Sequence, residues 1–295
     1  MGEFDALFGE DFRVSHYGVD VIEVFPAFNW FPELAARMRH ESNGEMSRLV
    51  VPAVTEAAEL RDAPMPDVRA EVVCAPVRAV RAQHPDKALF GLVLHPLEVL
   101  TGLFGMEGFY CALADDPDAI EEAVWRMGEA LGEGVDALCG DMDVLYLAGD
   151  ICSTRGSLLS AAMLARFCFE PLKAAIDAAH RHGVKVFFHT DGKVDEVLPL
   201  MVAAGIDGVN PLQASCNDAA AFARDYGERL MVYGALDNLF IIPDGSLQDI
   251  RDHVRRQFET LGAHGGYIAS SHDIPYSITV ERVNTLVDAL KGCVY

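Results

Sequence analysis

The sequence predicts an α/β protein, a (β/α)8 TIM-type barrel whose amino-terminal part is shortened or irregular, and three observations predict it. From residue 89 onward, strand-like apolar runs alternate with helix-like runs; the connections are short; and polar residues gather at the carboxyl ends of the strands. Strand-then-helix succession implies parallel strands joined by helical crossovers. Six such units occupy 89–295, and two further strands from the irregular 1–88 bring the number to eight, in a single barrel domain over 1–295. An open, doubly wound sheet shares this periodicity and is the alternative.

The first 88 residues carry the weakest pattern. VIEVFPAF (21–28) and LVVPAV (49–54) read as strands, WFPELAARMRHES between them as a helix, and APMPDV (63–68) as a proline-punctuated loop leading into a helix that ends near Gln83. The regular part opens with the strand LFGLVLHP (89–96). A helix follows from Asp116, whose side chain can cap it, with Pro117 in the first turn and apolar residues at helical spacing. VLYLAGD (144–150) is the next strand, and 157–183 is helical, broken at Pro171 and stopped at Gly183. Then come VKVFFHTD (184–191), a helix over 194–204, GVNPLQ (208–213), a helix over 217–226 and LMVYGALD (230–237). The helix 246–262, capped by Ser246, GYIASSHD (266–273) and a helix over 279–290 complete the chain.

Composition narrows the function. With 51% hydrophobic residues the chain has material for a large core, and 23 basic against 45 acidic residues leave a net charge of −22. Such a charge disfavours nucleic acid, anionic membrane surfaces and polyanionic ligands. No apolar run reaches the roughly 18 residues of a membrane span, and the acidic start MGEFDALFGEDF lacks the pattern of a signal peptide, so a cytoplasmic protein is expected. Seven cysteines with no CxxC pair read as reduced thiols.

In a parallel barrel, groups just past each strand face one mouth. Here these are His95; Tyr146 and Asp150, with Arg155 close behind; His189 and Asp191; Asn210 and Gln213; Asp237 and Asn238; His272 and Asp273. Each has an ordinary structural reading as well. A strand-end aspartate can cap the next helix, Asn210 and Gln213 can close a turn around Pro211, Tyr146 can belong to the core, and His95 can be a satisfied buried histidine. His189, Asp191 and His272 are different, because two imidazoles and a carboxylate from two strand ends can make a three-ligand metal site with an open position.

The motifs GDICSTRGSLLS, FEPLKAAIDAAHRHGVKVFFHTDG, LPLMVAAGIDGVNPLQ, YGALDN and GGYIASSHDIP resemble, in this order, the uroporphyrinogen decarboxylase superfamily. The resemblance covers about residue 89 to the end. It implies a (β/α)8 barrel and either a decarboxylase or a zinc-dependent, corrinoid-linked methyltransferase. The arginine-rich start and Phe-Ser-Asp loop of the decarboxylases are missing, and one strand-end cation, Arg155, is a poor host for a substrate with eight carboxylates. The methyltransferase branch binds zinc through an H-x-C pair and a later cysteine; His189-x-Asp191 and His272 stand in their places.

The resemblance therefore implies a metal-dependent methyltransferase with zinc on His189, Asp191 and His272. The methyl group would come from a small, oxygen-linked donor and go to the cobalt of a separate corrinoid protein, or travel from methylcobalamin to an acceptor. Replacing thiolates by imidazole and carboxylate leaves more positive charge on the metal, which suits polarising an oxygen. Asp150, Asp237 and Asp273 are the candidate proton donors, and His95, Tyr146, Arg155, Asn210, Gln213 and Asn238 the candidate substrate contacts. A cofactor-free decarboxylase and a non-catalytic binding barrel are the alternatives; a homodimer is allowed but not required.

Overall fold

Seven parallel strands carry out the predicted rhythm in the computed structural model, which describes residues 13–42, 47–271, 273–274 and 278–294. They are β1 (Val21–Val24), β2 (Ala88–Leu94), β3 (Val144–Ala148), β4 (Lys185–His189), β5 (Gly208–Asn210), β6 (Met231–Ala235) and β7 (Tyr267–Ser270), paired in chain order. Sequential order with every neighbour parallel is what short helical crossovers of one hand produce.

The sheet is rolled. Val21, Phe90, Tyr146, Phe187, Tyr233 and Ile268, from six of the strands, share one interior cluster. Across that interior Tyr233 Oη donates to Glu23 Oε1 of β1 at 2.9 Å, and the Phe90 and Tyr233 rings meet edge to face at 5.4 Å. A flat seven-stranded sheet would hold β1 and β6 far apart. The alternate residues, such as Leu89, Leu145, Leu147, Val186, Phe188, Val209 and Val232, face outward into the helix layer and are buried there.

The longest helix, Pro117–Leu138, starts where the sequence predicts, with Asp116 Oδ1 accepting the Ala119 N–H at 3.1 Å. It buries Ile120, Val124, Met127, Leu131, Val135 and Leu138 on one face. Its neighbour is the helix Lys173–Arg181, and the approach is so close that a Cβ on Gly128 would sit 1.9 Å from the Pro171 carbonyl oxygen. Pro171 does interrupt the 157–183 run, which divides into Ala161–Leu164, a π-helical turn Ala165–Phe169 and Lys173–Arg181.

Two expectations for the first 88 residues are corrected. The strand expected at 49–54 is Ser47–Val51, and it pairs antiparallel with Arg39–Ser42 outside the main sheet. It is reached through that hairpin rather than through a helical crossover, and the helix that comes after it, Glu71–Gln83, leads into β2. The helix expected across WFPELAARMRHES shrinks to Pro32–Ala35, because Arg39–Ser42 is taken up by that hairpin. Among the described residues the rolled sheet therefore has seven strands. Tyr17, ahead of β1, donates to Asn284 Oδ1 at 2.9 Å and packs with Leu236, Ile250, Ile278 and Leu286, so the segment leading into β1 is fastened to the helix Val280–Lys291.

No single helix among the described residues is long and apolar enough to cross a membrane. The apolar pair Pro96–Phe104 and Met106–Asp115 is bent by 107° and packs Leu100, Leu103, Phe104 and Phe109 into the core.

Candidate functional site

Register aligns the strand ends that matter: Ala148 of β3 lies beside His189 of β4, which lies beside Asn210 of β5. The chain leaving β4 is then fixed residue by residue. Thr190 is buried, and its Oγ1 accepts the N–H groups of Ile151 and Cys152 at 3.0 and 3.2 Å, stitching the β4 exit to the β3 exit. Asp191 N–H donates to Asp150 Oδ1 at 2.8 Å. Gly192 takes φ +95°, and a Cβ there would fall 2.5 Å from Ser153 O, so this position tolerates only glycine. Its N–H donates to Gln213 Oε1 at 2.8 Å, and its carbonyl accepts from Asn217 Nδ2 at 2.8 Å.

This stitching gathers three groups. One ligand atom each from Asp150, His189 and Asp191 lies within 4.8 Å of the other two, and His189 Nε2 stands 3.8 Å from Asp150 Oδ1. On the other side of the ring, His189 Nδ1 lies 2.7 Å from Asn210 Oδ1 and 3.2 Å from Tyr146 Oη, and Tyr146 Oη also donates to Asn210 Oδ1. Asn210 Nδ2 donates to the Tyr233 carbonyl at 2.7 Å. Burial pushes the Tyr146 phenol far above its ordinary range, which keeps it a neutral donor.

Beside Asp150 a small cleft is lined by Glu98, Thr101, Tyr110, Gly149 and Leu158. Glu98 accepts the Asp150 N–H at 3.3 Å. Burial raises its pKa above the usual carboxyl range, and the charge of Asp150 adds to this.

The donor set suits a divalent metal such as zinc: one imidazole nitrogen and two carboxylates, with the imidazole held through its other nitrogen as metal-bound histidines are. A tetrahedral site with bonds of about 2.1 Å spaces its ligand atoms by about 3.4 Å. Shifts on the order of an ångström close the present triangle.

The residues singled out in the sequence fall into separate groups. His189 and Asp191 come together as expected, but Asp150, expected as a proton donor, joins them; His272 lies outside the described residues. Tyr146 and Asn210, expected on substrate, are buried and bonded to His189. Gln213 holds the Gly192 N–H. His95 is corrected from substrate contact to structure: it is fully buried, its Nδ1 accepts the Leu97 N–H at 2.9 Å, and its Nε2 lies 3.2 Å from Cys168 O.

Asp237 Oδ1 accepts the Leu239 and Phe240 N–H groups, which is the capping role, and Asn238 next to it is buried. Asp273 and Arg155 are exposed, Arg155 at the tip of the small hairpin Cys152–Ser157. Sequence reading missed Glu98. Its signal is an acidic residue in the first turn of the helix Pro96–Phe104, three residues beyond the His95 strand end.

A model of the uroporphyrinogen decarboxylase family matches residues 13–293. No curated protein matches the sequence. Among solved structures, a methyltransferase from Methanosarcina mazei superposes with a TM-score of 0.72 at 19% identity, over 95% of this chain and 82% of that one. A sugar phosphate isomerase/epimerase from Parabacteroides distasonis reaches a TM-score of 0.46 at 9% identity, over 98% and 93%. The first of these is a likeness of fold.

Proposed function

The chain belongs to the uroporphyrinogen decarboxylase family, and from that premise we propose that it is a metal-dependent methyltransferase, moving a methyl group between a small oxygen-linked donor and the cobalt of a separate corrinoid protein. The observation that carries this reading is the convergence of Asp150, His189 and Asp191 at the barrel mouth. His189, Asp191 and Asp150 would hold the metal, with His272, next in the sequence after Ser271, as the candidate further ligand. Zinc bound there supplies a Lewis acid that makes an ether or alcohol oxygen a better leaving group.

The chain's own residues do the rest. Asn210 and Tyr146 fix the His189 ring from behind. Thr190, Gln213 and Asn217 hold the 190–193 turn rigid, so the carboxylates keep their spacing without help from a ligand. Glu98, protonated more readily than an ordinary carboxyl, is placed beside Asp150 to give its proton to the departing oxygen.

A cofactor-free decarboxylase fits less well. Such a site must attract the substrate's carboxylates, whereas this mouth presents carboxylates of its own, with Arg155 exposed on a hairpin tip. Metal analysis of the purified protein is the test. About one zinc per chain is expected, absent from His189→Ala and Asp150→Ala, together with metal-dependent methyl transfer to a corrinoid protein. A metal-free preparation that turns over at the full rate would overturn the reading.

A further inference from the structure

The hydrogen bonds behind His189 determine more than its orientation. The Tyr233 carbonyl oxygen can only accept, so the Asn210 side-chain atom 2.7 Å from it must be the NH2 group. The reverse amide orientation would press two acceptor oxygens together. The Asn210 carbonyl oxygen is therefore the atom that faces the His189 ring, and it too can only accept. With Nδ1 just 2.7 Å away, a proton must lie between them, and it must be on the nitrogen. Tyr146 does not alter this, since its own proton is given to the same Asn210 oxygen.

We propose that Asn210 is the positioning residue that selects the Nδ1–H tautomer of His189, leaving the Nε2 lone pair on the side of Asp150 and Asp191. The consequence is electrostatic. A lone pair 3.8 Å from the Asp150 carboxylate oxygen is placed to bind a cation that the carboxylates also hold. Whether that cation is a metal ion rests on the functional reading above; the tautomer does not.

Asn210 is suited to the task because it is buried and bonded on both sides. The strand register places it directly beside His189, and its exposure is 1%, so water does not compete for either end of the amide. His95 gives a built-in contrast. Its Nδ1 accepts the Leu97 N–H, which forces the opposite, Nε2–H, form.

The experiment is two-bond 1H–15N spectroscopy of imidazole-labelled, metal-free full chain at pH 8, with His189 assigned by its loss in His189→Gln. The expected wild-type spectrum has a protonated Nδ1 and a bare Nε2 for His189, and the reverse for His95. In Asn210→Leu the Nε2–H form of His189 should appear and zinc affinity should fall about 10- to 100-fold. Asn210→Asp keeps an acceptor towards Nδ1 and should retain the Nδ1–H form, at a cost in stability because its second oxygen is set against the Tyr233 carbonyl.

Tyr146→Phe should retain the Nδ1–H form as well, which separates Asn210 from its neighbour and does not depend on Asn210→Leu folding. An Nε2–H tautomer for His189 in the wild type overturns the proposal, as does an unchanged tautomer in folded Asn210→Leu. A wild-type Nδ1–H spectrum in a protein that takes up no zinc supports the proposal and sinks only the metal reading.

Discussion

The two ends of the same strands carry the same residue types and opposite electrostatics. Below the sheet, Asp143 just ahead of β3 accepts the Leu89 N–H at 2.7 Å and pairs with Arg81. Asp207 just ahead of β5 receives Lys185 Nζ and His180 Nε2, each at 2.8 Å, and the Val186 N–H at 2.9 Å. Each acid there is matched by cations. At the mouth, Asp150 comes within ion-pair distance of His189 alone among the described residues, with Asp191 close by. Aspartates and histidines at strand ends are thus not in themselves a functional signal; the gathering of Asp150, His189 and Asp191 around one point is.

The sharpest way to break this contrast is to truncate one group at each end. His189→Ala should weaken zinc binding by more than the about 10- to 100-fold that changes behind a ligand cost, with little loss of stability, as read by metal titration. If it unfolds the chain and leaves metal uptake intact, the mouth is a structural network like the one below it.

His95, under the mouth, sharpens the contrast from a third position. Burial lowers its pKa from 6.5 to about 4. The folded protein therefore resists a proton that the unfolded chain accepts. Stability is fully present above pH 6.5 and is lost as the pH falls from 6.5 towards 4, by up to about 3 kcal/mol. Thermal melts across that window should show the slope in the wild type and a flatter one in His95→Gln.

Asp207→Ala should cost about 2 kcal/mol, since Lys185 and His180 lose their shared, half-buried partner, and zinc affinity should stay unchanged. Denaturant titration and metal titration of the same sample would show the two effects separating. The smallest effect belongs to Arg155→Ala, an exposed hairpin residue, whose melting curve should move by less than about 0.5 kcal/mol. A large loss of zinc there would mean that Arg155 acts on the mouth.

The regular part of the fold was legible because its signals are local. Asp116 before Pro117, Ser246 before Leu247, Thr279 before Val280 and the apolar runs of β2 to β7 each mark an element without reference to anything distant. The amino-terminal part was not, since LVVPAV has the composition of a barrel strand and only its partner, Arg39–Ser42, decides otherwise. At the site, His189 and Asp191 stood out by type and spacing. The use of Asp150 as their companion, and of Asn210 and Tyr146 as supports, depends on how three strands align, which spacing within any one strand does not encode.

Asn210 touches β3 through Tyr146, β4 through His189 and β6 through the Tyr233 backbone, so a one-residue slip of β5 would carry its side chain to the opposite face of the sheet. Any chain that assembled out of step would lose its histidine support along with its alignment. On the proposed reading, metal uptake would thereby double as a proofreading readout of assembly: a molecule that captured an ion would already have its fourth, fifth and sixth strands seated in the right frame.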